Sequence, residues 1–420
     1  MRYLVVLALR SAWNRRLTLG LVVLTIALSV CLLLGVERMR HQARDSFNQA
    51  ASGTDLIVGA RTSPVQLMLY AIFRIGEATN NISWDSVEKI ARHPLVAWSI
   101  PISLGDSHHG FPVVGTSTAY FEHFKYGDGQ PLRFAQGRPF AQLFDAVIGA
   151  EVAEHLGYRI GDRITLNHGM QDIGLSRHDD KPFVVAGILA RTGTPVDRSV
   201  HVSLEAIEAI HLDWQGGARM PGLHIPAEQV RKFDLRPKQV TALLVGLKNR
   251  IAVFRMQRHI NEMRDEPLLA ILPGVALDQL WQVTGVVERS LLAISALVVL
   301  VGLCGLVAVV LAGLNERRRE LAILRSVGAQ PGSIFLMLVV EGLGLTLAGS
   351  ALGILLLSAG GALLGPLAQA RFGVALPVSV FSVEEIPLLL AVIGVGLLAS
   401  LAPGWRAYRL SLADGLTPRL

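Results

Sequence analysis

Residues 17–36 form twenty consecutive positions without a charge, and this run constrains the chain more than any other feature. At 1.5 Å of rise per residue, a helix of that length matches the roughly 30 Å hydrocarbon core of a bilayer. Three further apolar runs follow, at 290–314, 334–364 and 386–401, the last widened to 384–404 by its flanks. Only 17% of the residues are charged, against about 25% in ordinary soluble chains, so the apolar runs are a property of the whole composition. The expected fold class is therefore a membrane α-helical protein with four transmembrane helices.

The first run is too long for the apolar stretch of a secretory signal peptide, which has about 7–15 residues. It leads directly into Glu37, Arg38 and Arg40 and not into a small-residue cleavage site, so it reads as an uncleaved anchor. Orientation follows from where the basic residues lie. Arg2, Arg10, Arg15 and Arg16 precede the first run. Arg317, Arg318, Arg319 and Arg325 lie between the second and third, and Arg406, Arg409 and Arg419 follow the fourth. The short connection at 365–383 carries only Arg371. Both termini and the segment 315–333 are thus expected in the cytoplasm, with 37–289 outside it. The net charge of +6 is spent largely on these flanks, which argues against a nucleic-acid partner.

Residues 1–16 are expected to form an amphipathic helix at the cytoplasmic membrane surface, with Leu4, Leu7 and Ala8 on one face and Trp13 at the headgroups. The segment 37–289 mixes strand-like and helix-like runs and reads as a large α+β extracytoplasmic domain inserted between transmembrane helices 1 and 2. Trp84, Val87 and Ile90 mark one of its helices, and residues 214–237, rich in proline, read as a surface loop. Helical stalks are expected at 37–49 and 277–289, next to the first and second spans. The tail is 405–420. Small residues at four-residue spacing, as in Gly349 and Gly353, favour close helix contact in lipid.

Several chemistries are excluded. No glycine is followed by lysine anywhere, so no P-loop is present and any ATPase must be another chain. There is no H-E-x-x-H helix and no G-x-S-x-G elbow, so the expectation is a protein that is not an enzyme and has no catalytic residues. Cys31 and Cys304 both fall in apolar runs and read as packing residues. All twelve histidines lie between His41 and His259. The neighbouring pair His108 and His109, and His178 beside Asp179 and Asp180, have ligand-type side chains. They are nevertheless expected to be solvated or structural, with no metal bound. Glu341, an ionisable residue in an apolar run, is expected either to reach the interface or to pair with an arginine of the segment 315–333, and to serve structure or coupling.

Asn315, Glu316, Arg317, Arg318, Arg319, Glu320, Leu321, Ala322, Ile323, Leu324, Arg325, Ser326, Val327, Gly328 and Ala329 run consecutively, with Ile334 and Glu341 following. This segment resembles the signature of MacB/FtsX-type ABC transporter permeases: an arginine-rich turn, then E-[IL]-[AG]-x-[LM]-[RK]-[AS]-x-G-A, then a glutamate early in the next span. Ala402-Pro-Gly-Trp-Arg-Ala407 and Leu412-Ala-Asp-Gly-Leu416 are similar to the family's closing motifs, although Leu412 stands where the family often has proline. Ala8-Leu-Arg-Ser-Ala-Trp-Asn-Arg15 is similar to its amino-terminal motif. The resemblance implies a permease of the bacterial inner membrane, with its large domain in the periplasm.

It further implies a homodimer that works with two copies of an ABC ATPase. ATP and magnesium are held by that partner, and this chain holds no cofactor. In the family, ATP-driven motion passes through the stalks and does work on the far side, an action called mechanotransmission. Some members work with a periplasmic adaptor and an outer-membrane tunnel, and some extract lipoproteins. The alternative from a different class is an FtsX-like regulator or signalling scaffold that transports nothing. Glu316, Arg317, Glu320, Leu321, Leu324, Arg325 and Gly328 are the expected ATPase-coupling residues: a short charged helix ended by a glycine in the left-handed conformation.

Overall fold

A computed structural model describes residues 15–50, 52–169, 178–215, 218–220, 225–316, 322–323, 325–326, 328–372 and 383–409. The chain divides into two compact units, 1–43 with 285–420 and 44–284.

Among the described residues, the first unit contains four helices long and apolar enough to cross a membrane: Arg16–Gln42, Pro273–Leu314, Pro331–Gly365 and Val383–Arg409, the second of which starts beyond this unit. Each continues past its apolar run. The helices themselves cover Arg16–Ala50, Pro273–Glu316, Pro331–Phe372 and Ile386–Arg409. Helical register explains their packing. Val22, Ile26, Val30, Leu33 and Leu34 recur every three or four residues and so share one face of the first long helix. They pack with Val299, Leu303, Leu306, Val310 and Leu314 of the second and with Ile334 and Leu338 of the third.

Lipid provides little apolar driving force between helices, so close approach matters more than area. A Cβ on Gly349 would stand 2.6 Å from Ile26 Cγ2, and one on Gly353 would stand 2.7 Å from the Ala27 carbonyl oxygen. The small-residue pair thus lets the third long helix reach the backbone of the first. The fourth helix departs from expectation. The sequence places its end by residue 404, but it continues through Pro403 to Arg409. Proline removes one backbone donor and crowds the preceding turn, which bends a helix without having to end it where neighbouring helices pack around the freed carbonyl.

The second unit is α+β, as expected. One antiparallel sheet runs in the order Leu268–Ile271, Leu56–Ala60, Ala242–Leu247, Val96–Ile102. Strand side chains alternate between faces. Accordingly Leu56, Val58, Leu243, Val245, Leu268 and Ala270 enter one core, where Val87 and Ile90 of helix Trp84–Ala91 meet Met256 and Ile260 of helix Val253–Asn261. Ile57, Ile100, Ile102, Leu244 and Ile271 enter another, with Val114, Val147 and Leu189.

Those three residues belong to a mixed eight-stranded sheet. Its order is Arg163–Ile164, Phe183–Leu189, Asp145–Ile148, Val200–Ser203, Phe111–Thr116, Asp106–His108, Asn167–His168, with Phe134–Gly137 pairing beside Phe183–Leu189. The stretch 214–237, read as a loop, is more ordered than that. Trp214–Gln215 pairs with Ala218–Arg219, and Ile225 and Val230 are buried with Ala209. Prolines there break long elements without preventing a small apolar cluster.

Candidate functional site

The signature segment is partly visible. Arg317, Glu320, Leu321 and Leu324 lie outside the described residues, as do residues 1–14 and 410–420. Glu316 ends the second long helix. Arg325 is helical and half-buried, and its carbonyl accepts a hydrogen bond from Gly328 N at 3.1 Å. Gly328 has φ +101°, a conformation in which a side chain would be strained.

Glu341 has a partner the sequence reading did not name. Arg15 Nη2 lies 3.2 Å from Glu341 Oε1, and the glutamate side chain is 7% exposed. Gly313 makes room for that guanidinium, because a Cβ there would collide with Arg15 Nη1. The ion pair draws on the arginine before the first span, a partner in neither of the two expected places, the interface and the segment 315–333. The middle loop and the amino-terminal flank are far apart in sequence but border the same end of the bundle.

A second charged layer lies where the first apolar run stops. Arg38 grips Glu385 through two hydrogen bonds, Nε to Oε1 and Nη2 to Oε2, the latter 3.0 Å long. Both side chains are buried. Glu37 accepts from Arg40 Nη2 at 2.5 Å and lies 2.9 Å from His41 Nε2. Arg40 also faces Glu288 at 3.9 Å, and His41 Nδ1 lies 3.0 Å from Glu384. The first, second and fourth long helices are thereby joined by charge within this unit.

In the α+β unit the histidines are distributed differently from the pairs seen in the sequence. His108 uses both ring nitrogens: Nδ1 lies 2.7 Å from the Thr165 carbonyl and Nε2 3.0 Å from the Tyr158 hydroxyl. His109 sits exposed in the adjoining turn at φ +46°. Asp180 serves Lys181, whose ammonium is wholly buried, 3.0 Å from Asp180 and 2.8 Å from Asp213. His178 instead joins Asp106, His168 and His211, residues that the sequence reading passed over.

Each arrives from its own element. Asp106 and His168 are register partners on adjacent antiparallel strands. His211 ends helix Leu204–His211, which Ser203 caps by accepting from Ala206 N at 3.1 Å. That helix lies close to strand Phe111–Thr116 because Gly115 has no side chain; a Cβ there would be 2.6 Å from Ile207 Cγ1. His178 is pinned by its backbone N–H to the Leu166 carbonyl at 2.9 Å and lies under Trp214, with ring centroids 4.3 Å apart.

The electrostatics are those of a crowded, largely buried group. Burial opposes ionisation of Asp106, but hydrogen bonds from His168 and His211 outweigh it and hold the carboxyl well below the usual range. Burial also lowers His211, yet its bond to Asp106 and that negative charge raise it overall. His178 is pushed down to about 4, first by burial and then by the neighbouring His211.

His201, outside this cluster, is fully buried with Nδ1 3.2 Å from the Val147 carbonyl. Burial and the Arg74 cation push it down to about 3. Its unfolded value is about 6.5, so below that pH the unfolded chain binds the proton that the native chain refuses. Stability is full above about pH 6.5 and falls by about 1.4 kcal/mol per pH unit below it. The unfolding free energy of the full chain in detergent, from urea titration, should drop accordingly, by about 2 kcal/mol near pH 5 from this residue, and His201→Gln should reduce the slope by that share. An unchanged slope in the variant would refute the assignment.

Residues 17–253 match the MacB-like periplasmic core domain, and residues 292–412 match the FtsX-like permease C-terminal domain. The chain belongs to the MacB/FtsX-type ABC transporter permeases. Membership makes this permease an inner-membrane transport component, of a kind that works with an ATPase partner. Among solved structures, it is similar to the periplasmic region of MacB from Actinobacillus actinomycetemcomitans, at 9% identity and a TM-score of 0.33, covering 55% of this chain and 94% of that one. It is also similar to the extracellular domain of the noncanonic ABC-type transporter YknZ from Gram-positive bacteria, at 12% identity and a TM-score of 0.30, covering 52% and 99%. A comparison with curated proteins finds no match.

Proposed function

We propose that this permease converts ATP hydrolysis on a separate ATPase chain into motion of its periplasmic domain, driving export or extraction of a substrate on the far side of the inner membrane. The observation that carries this reading is helical continuity. The first long helix runs unbroken over Arg16–Ala50, well past its apolar run, and the second begins at Pro273, well before its own. A helix transmits displacement along its axis, whereas a flexible linker absorbs it. The spans also lack a polar route: within 17–36, 290–314, 334–364 and 386–401 the only Asp, Glu, Lys or Arg is Glu341. On this reading two copies of the chain pair with two ATPase subunits, which bind ATP and magnesium. The segment from Glu316 to Gly328 docks on the ATPase, both termini are cytoplasmic, and a periplasmic adaptor with an outer-membrane tunnel would receive an exported substrate.

The test is a flexible Gly-Ser insertion within 279–287, compared with two prolines at the same place. The expected result is loss of biological output while ATP hydrolysis by the assembled complex persists. Transport retained through a loosened helix would refute mechanical coupling, because only a route between the spans would survive that insertion.

A further inference from the structure

We propose that Asp106, His168, His178 and His211 form a binding site for one divalent transition-metal ion, with zinc the ion that best suits the donors. The inference does not depend on the mechanical reading above, and it reverses the expectation from sequence that the histidines hold no metal.

Each of the four residues offers one donor atom, and these atoms all lie within 4.8 Å of one another. His168 Nδ1 is 3.1 Å from Asp106 Oδ1 and 3.2 Å from His211 Nε2, and His211 Nε2 is 3.5 Å from Asp106 Oδ1. Zinc binds imidazole nitrogen and carboxylate oxygen at about 2.0–2.2 Å, so donors at the corners of its tetrahedron stand about 3.3–3.6 Å apart. Three corners are therefore nearly in place, and His178, whose ring nitrogen lies within 4.8 Å of the other donors, supplies the fourth.

The hydrogen bonds around the cluster prepare lone pairs for a cation. His211 Nδ1 lies 2.8 Å from the Ile207 carbonyl, which fixes a proton on Nδ1 and turns the Nε2 lone pair inward. A backbone carbonyl behind a ligating imidazole is the usual means of setting its tautomer. Lys181, the nearest cation in sequence, is neutralised by Asp213 and Asp180.

A proton is the competing occupant, because a protonated His211 would satisfy Asp106. It would leave His178 unexplained. That side chain is 0% exposed, and among the described residues neither ring nitrogen has a hydrogen-bond partner. Burying an imidazole with both nitrogens unmet is costly. A metal ion gives one of them a bond and accounts for all four residues together. Four protein donors close a tetrahedral shell and leave no open position for a substrate, so the ion's role is structural. It would fasten the strand Asp106–His108, the edge strand Asn167–His168, the end of helix Leu204–His211 and the turn at His178 to one point.

The test uses the full chain, purified in detergent on a tag without histidines. Elemental analysis after dialysis is expected to find one zinc per chain. After chelation, Zn2+ and Co2+ are titrated separately while tryptophan fluorescence is followed, since Trp214 lies against His178. Cobalt should give the visible absorption of a tetrahedral N/O site, and zinc should raise the thermal midpoint. His178→Ala and the double variant Asp106→Asn with His211→Gln should weaken zinc binding at least about 100-fold. His108→Gln should leave binding unchanged. If the ligand variants fail to fold, the stoichiometry and cobalt spectrum of the unaltered chain still decide. Absence of both from that chain overturns the proposal, as does stoichiometric zinc that survives in the ligand variants or disappears with His108→Gln.

Discussion

Arg38→Ala is expected to destabilise the membrane unit by about 3–5 kcal/mol, the usual result of removing one member of a buried ion pair. The cost arises from what remains. Glu385 is 1% exposed and would lose the two guanidinium hydrogen bonds it now accepts. Because the pair joins the first long helix to the start of the fourth, the loss should loosen their contact. Thermal unfolding in detergent measures the effect. Two companion variants separate charge from packing. Arg38→Met with Glu385→Leu removes both charges and should recover most of the stability, since an apolar pair of similar size often replaces a buried ion pair at little cost. Arg38→Glu with Glu385→Arg should recover part of it. A single variant as stable as the parent would show that the pair is solvated in the membrane-embedded protein.

In the α+β unit the corresponding prediction is Asp213→Ala. Lys181 is completely buried and has Asp213, itself 0% exposed, at 2.8 Å. Asp180 remains at 3.0 Å, so the ammonium is not left bare, and the expected loss is about 3 kcal/mol, the lower end of the range for such pairs. Lys181→Met in the Asp213→Ala background should be more stable than Asp213→Ala alone, because it removes the stranded charge. Urea unfolding of the metal-free chain isolates this effect from any ion in the neighbouring cluster. If the second substitution adds its own penalty, Lys181 contributes through its aliphatic stem more than through its charge.

Local pattern made much of the architecture legible. Uncharged runs long enough to cross a bilayer are contiguous in sequence, so the four long helices could be read directly, as could the helix marked by Trp84, Val87 and Ile90. The family was legible for the same reason, because the segment from Asn315 to Ala329 is one continuous motif. Ends of elements were less visible. Pro403 is a reasonable helix terminator in water but lies inside a helix here. The prolines of 214–237 concealed a small buried cluster around Val230.

Charge pairing was legible only as raw material. Glu341 stood out as an ionisable residue in an apolar run, but its partner Arg15 is 326 positions away. Arg38 and Glu385 flank different spans, and nothing local relates them. The histidine cluster is the clearest case. Neighbours in sequence, His108 with His109 and His178 beside Asp179 and Asp180, drew attention, while His178 converges with residues from positions 106, 168 and 211. A ligand set needs donor atoms within a few ångströms, and successive strand residues point to opposite faces, so adjacency in sequence works against convergence. Sequence alone determined that this chain enters a membrane four times, holds no P-loop and carries the permease signature, because each is written in contiguous residues. Only the tertiary structure decided which charges are buried together and which histidines face one another, because strand register, helix docking at Gly115 and the crossing of long helices set those distances.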